Sequence, residues 1–210
     1  MKGVAGLLLA AGSSSRMGRP KQLLSLGRAS LLDHVLRQAL SSDLDRVVLI
    51  LGHKAEEIRE GLKTPLDQPK LTVLRNPEYE KGISSSLLCG LREVEDEYEH
   101  VMVILGDMPL ITSDLINLLL RRYLASGLPL GAVQTKRGRS HPVVLGRRFY
   151  PDLHRLRGDL GARELFARFP DELCLVESGE AYPDTDIDTP EDYEAIRRYH
   201  RRDPEGATGR

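Results

Sequence analysis

The sequence predicts a three-layer α/β fold, a mostly parallel sheet with helices on both faces, on two observations. First, short apolar runs that read as buried strands alternate along the chain with segments whose apolar residues recur at helical spacing. Second, the opening run, Val4 to Ala11, breaks into Gly12, three serines, Arg16, Gly18, Pro20 and Lys21. Such a run, bounded by a glycine turn, is a core strand. Strand–helix alternation then favours parallel pairing through right-handed crossovers.

The elements follow in order. Leu31–Leu40 shows helical spacing behind Ser30, a residue suited to an N-cap. Arg46–Gly52 reads as a second strand, and Lys54–Leu62 as a short amphipathic helix closed by Gly61 and Pro65. Lys70–Arg75 is a third strand, Ser84–Val94 a helix and Val101–Leu105 a fourth strand. Thr112 caps a helix through Ala125 that Gly127 ends. Leu130–Thr135 and Pro142–Leu145 are strands, and Gly161–Phe169 is a helix. Leu173–Glu177 is a short strand and Pro190–His200 the last helix. Residues 1–200 are expected to form one domain, and the polar stretch 201–210 a disordered tail.

Composition narrows the function. The 210 residues suffice for a full α/β core, and a net charge of −1 offers no basic field for nucleic acid or a membrane surface. Two cysteines, Cys89 and Cys174, without a C-x-x-C, argue against a disulfide framework or zinc site and fit a reducing compartment. The first apolar run is too short to span a membrane and has no small-residue cleavage site, so a cytoplasmic protein is expected.

The loop after the first strand has the chemistry of a triphosphate grip. Glycine and serine leave backbone N–H groups uncovered, and Arg16 and Lys21 add two positive charges. It is not a P-loop: Gly12 to Gly18 is one residue too long, and Lys21 lies three past the second glycine and precedes Gln22. Nor is it the dinucleotide fingerprint. Neither Gly12 nor Gly18 has a glycine two residues on, and the second strand ends at Leu51-Gly52-His53 without an acid.

Leu9-Ala10-Ala11-Gly12, Ser15-Arg16-Met17-Gly18 and Pro20-Lys21 resemble the signature loop of nucleotidyltransferases with a Rossmann-like fold, the type shared with nucleotide-diphospho-sugar transferases. The resemblance implies that Leu9, Ala10, Ala11, Gly12, Ser13, Arg16 and Lys21 hold the nucleotide. It extends this role to Asn76, Gly82 and one of Ser84 to Ser86, with Ser85 at the centre of that trio. Taken alone, those last residues are a turn and a serine-rich helix start.

Two acidic segments carry the expected metal. Gly106-Asp107-Met108-Pro109 follows five apolar residues, so Asp107 stands at a strand's mouth, where a carboxylate can hold magnesium. Asp184-Thr185-Asp186-Ile187-Asp188-Thr189-Pro190-Glu191-Asp192 opens the last helix. Thr189 suits the N-cap, and Glu191 and Asp192 complement the helix dipole. Asp186 and Asp188 precede the cap and share one side of an extended segment. The family's spelling of both motifs implies Asp107 and Asp188 as ligands of Mg2+, with Asp186 as a helper.

Arg139-Ser140-His141-Pro142 and Gly158-Asp159-Leu160-Gly161-Ala162-Arg163 resemble the acceptor-side motifs of the molybdenum-cofactor nucleotidyltransferase family. His141, Asp159 and Arg163 would border the pterin, with Arg139 and Arg163 neutralising its phosphate. To about Tyr199 the chain is similar to the molybdopterin cytidylyltransferase type. The implied reaction transfers CMP from CTP to the phosphate of molybdopterin and releases pyrophosphate, with Arg16, Lys21 and Asp107 catalytic. A molybdoenzyme that receives the product is an implied partner; nucleic acid and membrane are not. Ala11 and Pro20 stand where the guanylyl branch has glycine and aspartate, which favours CTP. The alternatives are guanylyl or other nucleotidyl transfer to a different phosphorylated acceptor, or a non-catalytic cofactor carrier of the same fold.

Overall fold

A computed structural model describes residues 3–13, 20–178 and 186–202. The strands are β1 (Val4–Ala10), β2 (Ser25–Leu26), β3 (Ala29–Ser30), β4 (Arg46–Leu51), β5 (Leu71–Arg75), β6 (His100–Leu105), β7 (Leu130–Thr135), β8 (Gly138–Gly146) and β9 (Leu173–Glu177). The helices are α1 (Leu31–Ser41), α2 (Ala55–Gly61), α3 (Ile83–Val94), α4 (Ser113–Ser126), α5 (Tyr150–Leu153), α6 (Arg163–Arg168) and α7 (Pro190–Arg202).

Seven strands form one sheet in the order β5-β4-β1-β6-β8-β7-β9, and β2 pairs with β3 in a small separate hairpin. β5, β4, β1 and β6 run parallel, β8 runs against both β6 and β7, and β9 is again parallel to β7. Only β8 therefore opposes the rest. The C-terminal ends of the other strands and the start of β8 lie at one end of the sheet, where an open α/β sheet collects its ligands.

Alternation along β1 explains its unbroken apolar spelling. Val4, Leu8 and Ala10 pack with α1, α2 and α4, whereas Ala5, Leu7 and Leu9 pack with α3, α5 and α6. A strand covered on both faces has no side on which to place a polar residue. Local rules act where the sequence predicts them. Ser30 caps α1, its hydroxyl accepting from Asp33 N at 3.1 Å while Asp33 Oδ2 accepts from Ser30 N at 3.3 Å. Thr112 caps α4, which closes on Gly127 in the left-handed region.

β8 departs from expectation. It is nine residues long instead of the predicted Pro142–Leu145, and it is antiparallel. Proline has no N–H for the ladder and marks a break. Here the break is a register shift: Ala132 pairs with Val143 and Val133 with Ser140, so His141 and Pro142 fall within the irregularity. The helix predicted over Gly161–Phe169 is confined to α6, and α7 runs on to Arg202, beyond the expected boundary at residue 200. Residues 203–210 of the expected tail lie outside the described residues.

Candidate active site

Every helix-bearing connection that leaves the common end of the sheet contributes to the site. Just past β1, Ala11, Gly12 and Ser13 line a cavity of about 590 Å3, together with Leu9 and Ala10. Arg16 lies outside the described residues. The chain returns at Pro20 and makes one turn of 3-10 helix, Lys21–Leu23. That turn sends adjacent side chains to different tasks. Gln22, 3% exposed, donates from Nε2 to Ala10 O at 3.0 Å and Gly12 O at 3.1 Å, holding the start of the loop. Lys21 reaches the acids.

Lys21 Nζ donates to Asp107 Oδ2 at 2.7 Å, Asp188 Oδ1 at 2.9 Å and the Ile187 carbonyl at 2.9 Å. Burial by itself depresses the Lys21 ammonium, but the charges and hydrogen bonds of Asp107 and Asp188 outweigh it and hold the group above its ordinary value. The two acids meet although far apart in sequence. Ile187 is fully buried against Leu24, Leu26, Leu31, Leu110 and Ile196, and its N–H bonds the Asp107 carbonyl at 3.2 Å. With Ile187 turned inward, Asp186 and Asp188 on either side of it stay exposed, as strand-like alternation requires. The Asp186 carboxyl is held above the usual range, by partial burial first and the Asp107 charge second. Asp192 accepts from Thr189 N and Oγ1 at 2.9 and 2.7 Å, so it serves the helix cap and not the site.

The second oxygen of Asp107, Oδ1, is buried without a hydrogen-bond partner. A buried carboxylate oxygen left unmet is costly, and it suits a cation. Among the described residues no group of three or more His, Cys, Asp or Glu side chains is arranged to hold a metal. The available donors are thus a carboxylate pair, which matches magnesium's habit of taking one or two carboxylates and completing its shell with phosphate and water.

The other nucleotide-side residues are less uniform. Asn76 is 3% exposed; its Nδ2 donates to Ser85 Oγ at 2.9 Å and Ser86 Oγ at 3.0 Å, and its Oδ1 accepts from Glu78 N. Ser85 Oγ is engaged with the Gly82 and Glu78 carbonyls, while Ser86 lines the cavity. Asn76 and Ser85 are therefore bracing groups for the turn into α3, and of the serine trio Ser86 is the one that faces the cavity. Gly82 has φ +92°, and a Cβ there would lie 2.5 Å from the Gly158 carbonyl oxygen, so only glycine permits this approach. Ser84 N seals the contact with a bond to Gly158 O at 3.1 Å.

A second cavity of about 520 Å3 adjoins the first, sharing Leu9, Ile83, Leu105 and Asp159 with it. Its polar lining is Arg137, Arg139, Ser140, His141 and Asp159, over an apolar floor that includes Val103, Val143 and Phe166. His141 Nδ1 is 3.4 Å from the Val103 carbonyl. His141 thus lines the second cavity alone, whereas Asp159 lines both. The Arg163 backbone opens α6, and its side chain lies outside the described residues.

Sequence reasoning missed Gln22, His53, Tyr79 and Arg137. His53 and Tyr79 line the first cavity with their rings edge to face, Nδ1 3.3 Å from the hydroxyl. His53 was findable, since it stands two residues beyond β4 at the ligand-collecting end.

Residues 6–173 match the MobA-like NTP transferase domain. The chain is 31% identical over 115 residues to the molybdenum cofactor cytidylyltransferase of Escherichia coli, a match covering 55% of this chain and 57% of that protein. It is 30% identical to the purine catabolism protein PucB of Bacillus subtilis, over 92% of this chain and 95% of that one. It is 27% identical to the nicotine blue oxidoreductase of Paenarthrobacter nicotinovorans, over 90% and 93%. Among solved structures, the Mycobacterium sp. strain JC1 homologue of Rv0371c superposes with TM-score 0.81 at 31% identity, covering 95% of this chain and 97% of that one. Rv0371c of Mycobacterium tuberculosis, solved in complex with manganese, shares the fold with TM-score 0.78 at 24% identity, over 94% and 98%.

Proposed function

Because the chain belongs to the MobA-like NTP transferase family, we propose that it transfers CMP from CTP to the phosphate of a molybdopterin-type acceptor. Pyrophosphate leaves, and a divalent cation, Mg2+, assists. The observation that carries this reading is the convergence of Lys21, Asp107 and Asp188 beside a cavity walled by the backbone that follows β1.

The charges explain why a cation is required. Among the described residues Asp107 and Asp188 both carry negative charge beside Lys21, and carboxylates oppose a triphosphate. Asp107 and Asp188 would hold a divalent ion, which would supply positive charge to neutralise the phosphates in phosphoryl transfer. The chain's own groups do the rest. The backbone of residues 11–13 cradles phosphate, and Gln22 fixes it in place. Lys21 stabilises the charge that collects on the leaving pyrophosphate. Arg137, Arg139 and His141 hold the acceptor in the adjoining cavity, so that its phosphate oxygen faces the α-phosphorus in line. The new P–O bond forms there as the bond to the β-phosphate breaks. No protein nucleophile is needed, since the acceptor phosphate is already an anion.

The test is pyrophosphate release with each of the four ribonucleoside triphosphates, with and without pterin acceptor and Mg2+. Release should require CTP, acceptor and Mg2+ together. One relative bears an oxidoreductase's name, so the same protein is also assayed for oxidation of NADH and NADPH. Release that favours GTP would move the chain to guanylyl transfer. Nicotinamide oxidation without pyrophosphate release would overturn the reading.

A further inference from the structure

We propose that Lys21 is the place-holder of the divalent-cation position: it keeps Asp107 and Asp188 closed until a triphosphate arrives, so that cation and nucleotide enter together. The inference rests on the nucleotidyl-transfer reading above and concerns what the same residues do before substrate binds.

An ammonium has three donors, and Lys21 directs them at three oxygens from two distant segments, at 2.7, 2.9 and 2.9 Å. That is a cation site already filled by the chain's own cation. Asp107 Oδ1, buried and without a partner at the same spot, shows that one ammonium does not meet the whole demand of the pair. The side chains of Lys21 and Asp107 are only 14% and 23% exposed, so water screens their pairing weakly.

Consider a metal ion arriving alone. It must expel the ammonium from both carboxylates, which breaks two close ion pairs at a weakly exposed position. A triphosphate arriving alone meets two carboxylates and an ammonium that is already engaged with them. Arriving together, they permit an exchange in which no charge is left unpaired. The carboxylates pass to the metal, and the ammonium, which also lines the first cavity beside residues 10–13, passes to phosphate. The apparent affinity for the free metal falls by the fraction of time the pair stands open. If Lys21 occupies it about 90–99% of the time, that factor is about 10- to 100-fold.

The experiment measures Mn2+ binding to nucleotide-free protein by paramagnetic resonance, which needs no turnover. Lys21→Met should bind Mn2+ about 10- to 100-fold more tightly than the unaltered chain, while Lys21→Arg, which keeps the cation, should stay weak. If Lys21→Met does not fold, as its thermal transition would show, Lys21→Gln takes its place. Binding by the neutral variant no tighter than by the unaltered chain overturns the place-holder role. Adding Asp107→Asn to the neutral variant should abolish the gained binding. If the gain survives that change, the metal sits elsewhere and the reading of the active site itself is wrong.

Discussion

The two adjoining cavities are built on different principles. The first sits over parallel strands, and its chemistry comes from residues just beyond strand ends: Gly12, His53 and Asp107 after β1, β4 and β6. At its mouth Lys21 is paired with Asp107 and Asp188. The second sits beside β8, the one strand that runs against the others, and Arg139, Ser140 and His141 belong to the strand itself. Arg137 and Arg139 are exposed. A parallel sheet fixes where its strand ends point, so the first cavity has a rigid charge cluster suited to a constant triphosphate. The second is a wall of exposed cations over an apolar floor, which under the proposed function would take the acceptor.

If this contrast is right, the largest defects come from the first cavity's cluster. Asp107→Asn keeps the shape and one oxygen but removes the charge. Turnover should fall about 10²- to 10³-fold, a loss typical of removing one preorganised electrostatic group. The magnesium requirement should rise, and the thermal midpoint should hardly move, because Lys21 keeps Asp188. Asp188→Asn should be milder, since that side chain is 49% exposed and its charge is better screened. Equal magnesium dependence in both variants and the unaltered chain would contradict the metal assignment.

Smaller and more selective effects are expected in the second cavity. His141→Ala should raise the acceptor KM while leaving the CTP dissociation constant unchanged, because His141 lines only that cavity. Asp159→Asn should disturb both, because it stands at the boundary and its loop packs on Gly82. Equilibrium CTP binding and acceptor titrations on the two variants separate these outcomes. A loss of CTP affinity in His141→Ala would erase the division between the cavities.

The same contrast explains what the sequence discloses. The parallel half is legible because burial on both faces makes apolar runs, and because Gly12 and Asp107 interrupt such runs abruptly. The convergence of Asp107 with Asp188 rests on Ile187, whose burial under α7 no local spacing reveals. β8 is obscured by Pro142, which looks like a boundary and in fact falls within a register shift. A signal was there: even with the second strand read from Pro142, only residues 136–141 separate the two, too few for a parallel crossover, so an antiparallel connection was forced. Gln22 escapes a reading by charge and turn chemistry, because its work is to hold the Ala10 and Gly12 carbonyls from a buried position.

The smallest expected effect concerns the nucleotide base. From the sequence, the Ala11 methyl excludes a larger base, a contact worth about 1–3 kcal/mol at most. In the structure Ala11 is 5% exposed and its carbonyl accepts from His53 N at 3.2 Å. A Cβ placed on Gly52 would come within 2.7 Å of the Ala11 Cβ and 2.6 Å of its oxygen. The methyl is therefore pressed against Gly52, where it clasps the loop to the end of β4, besides bordering the cavity. Removing it should loosen the clasp for either nucleotide, so Ala11→Gly should lower kcat/KM for CTP and GTP together and change their ratio by less than about tenfold. Gly52→Ala should do more harm, because a methyl there has to displace the Ala11 carbonyl from its bond with His53. Measured kcat/KM for both nucleotides in both variants decides the matter. If Ala11→Gly makes GTP as good a substrate as CTP, the methyl is a gate for the base and the first cavity is less rigid than its packing implies.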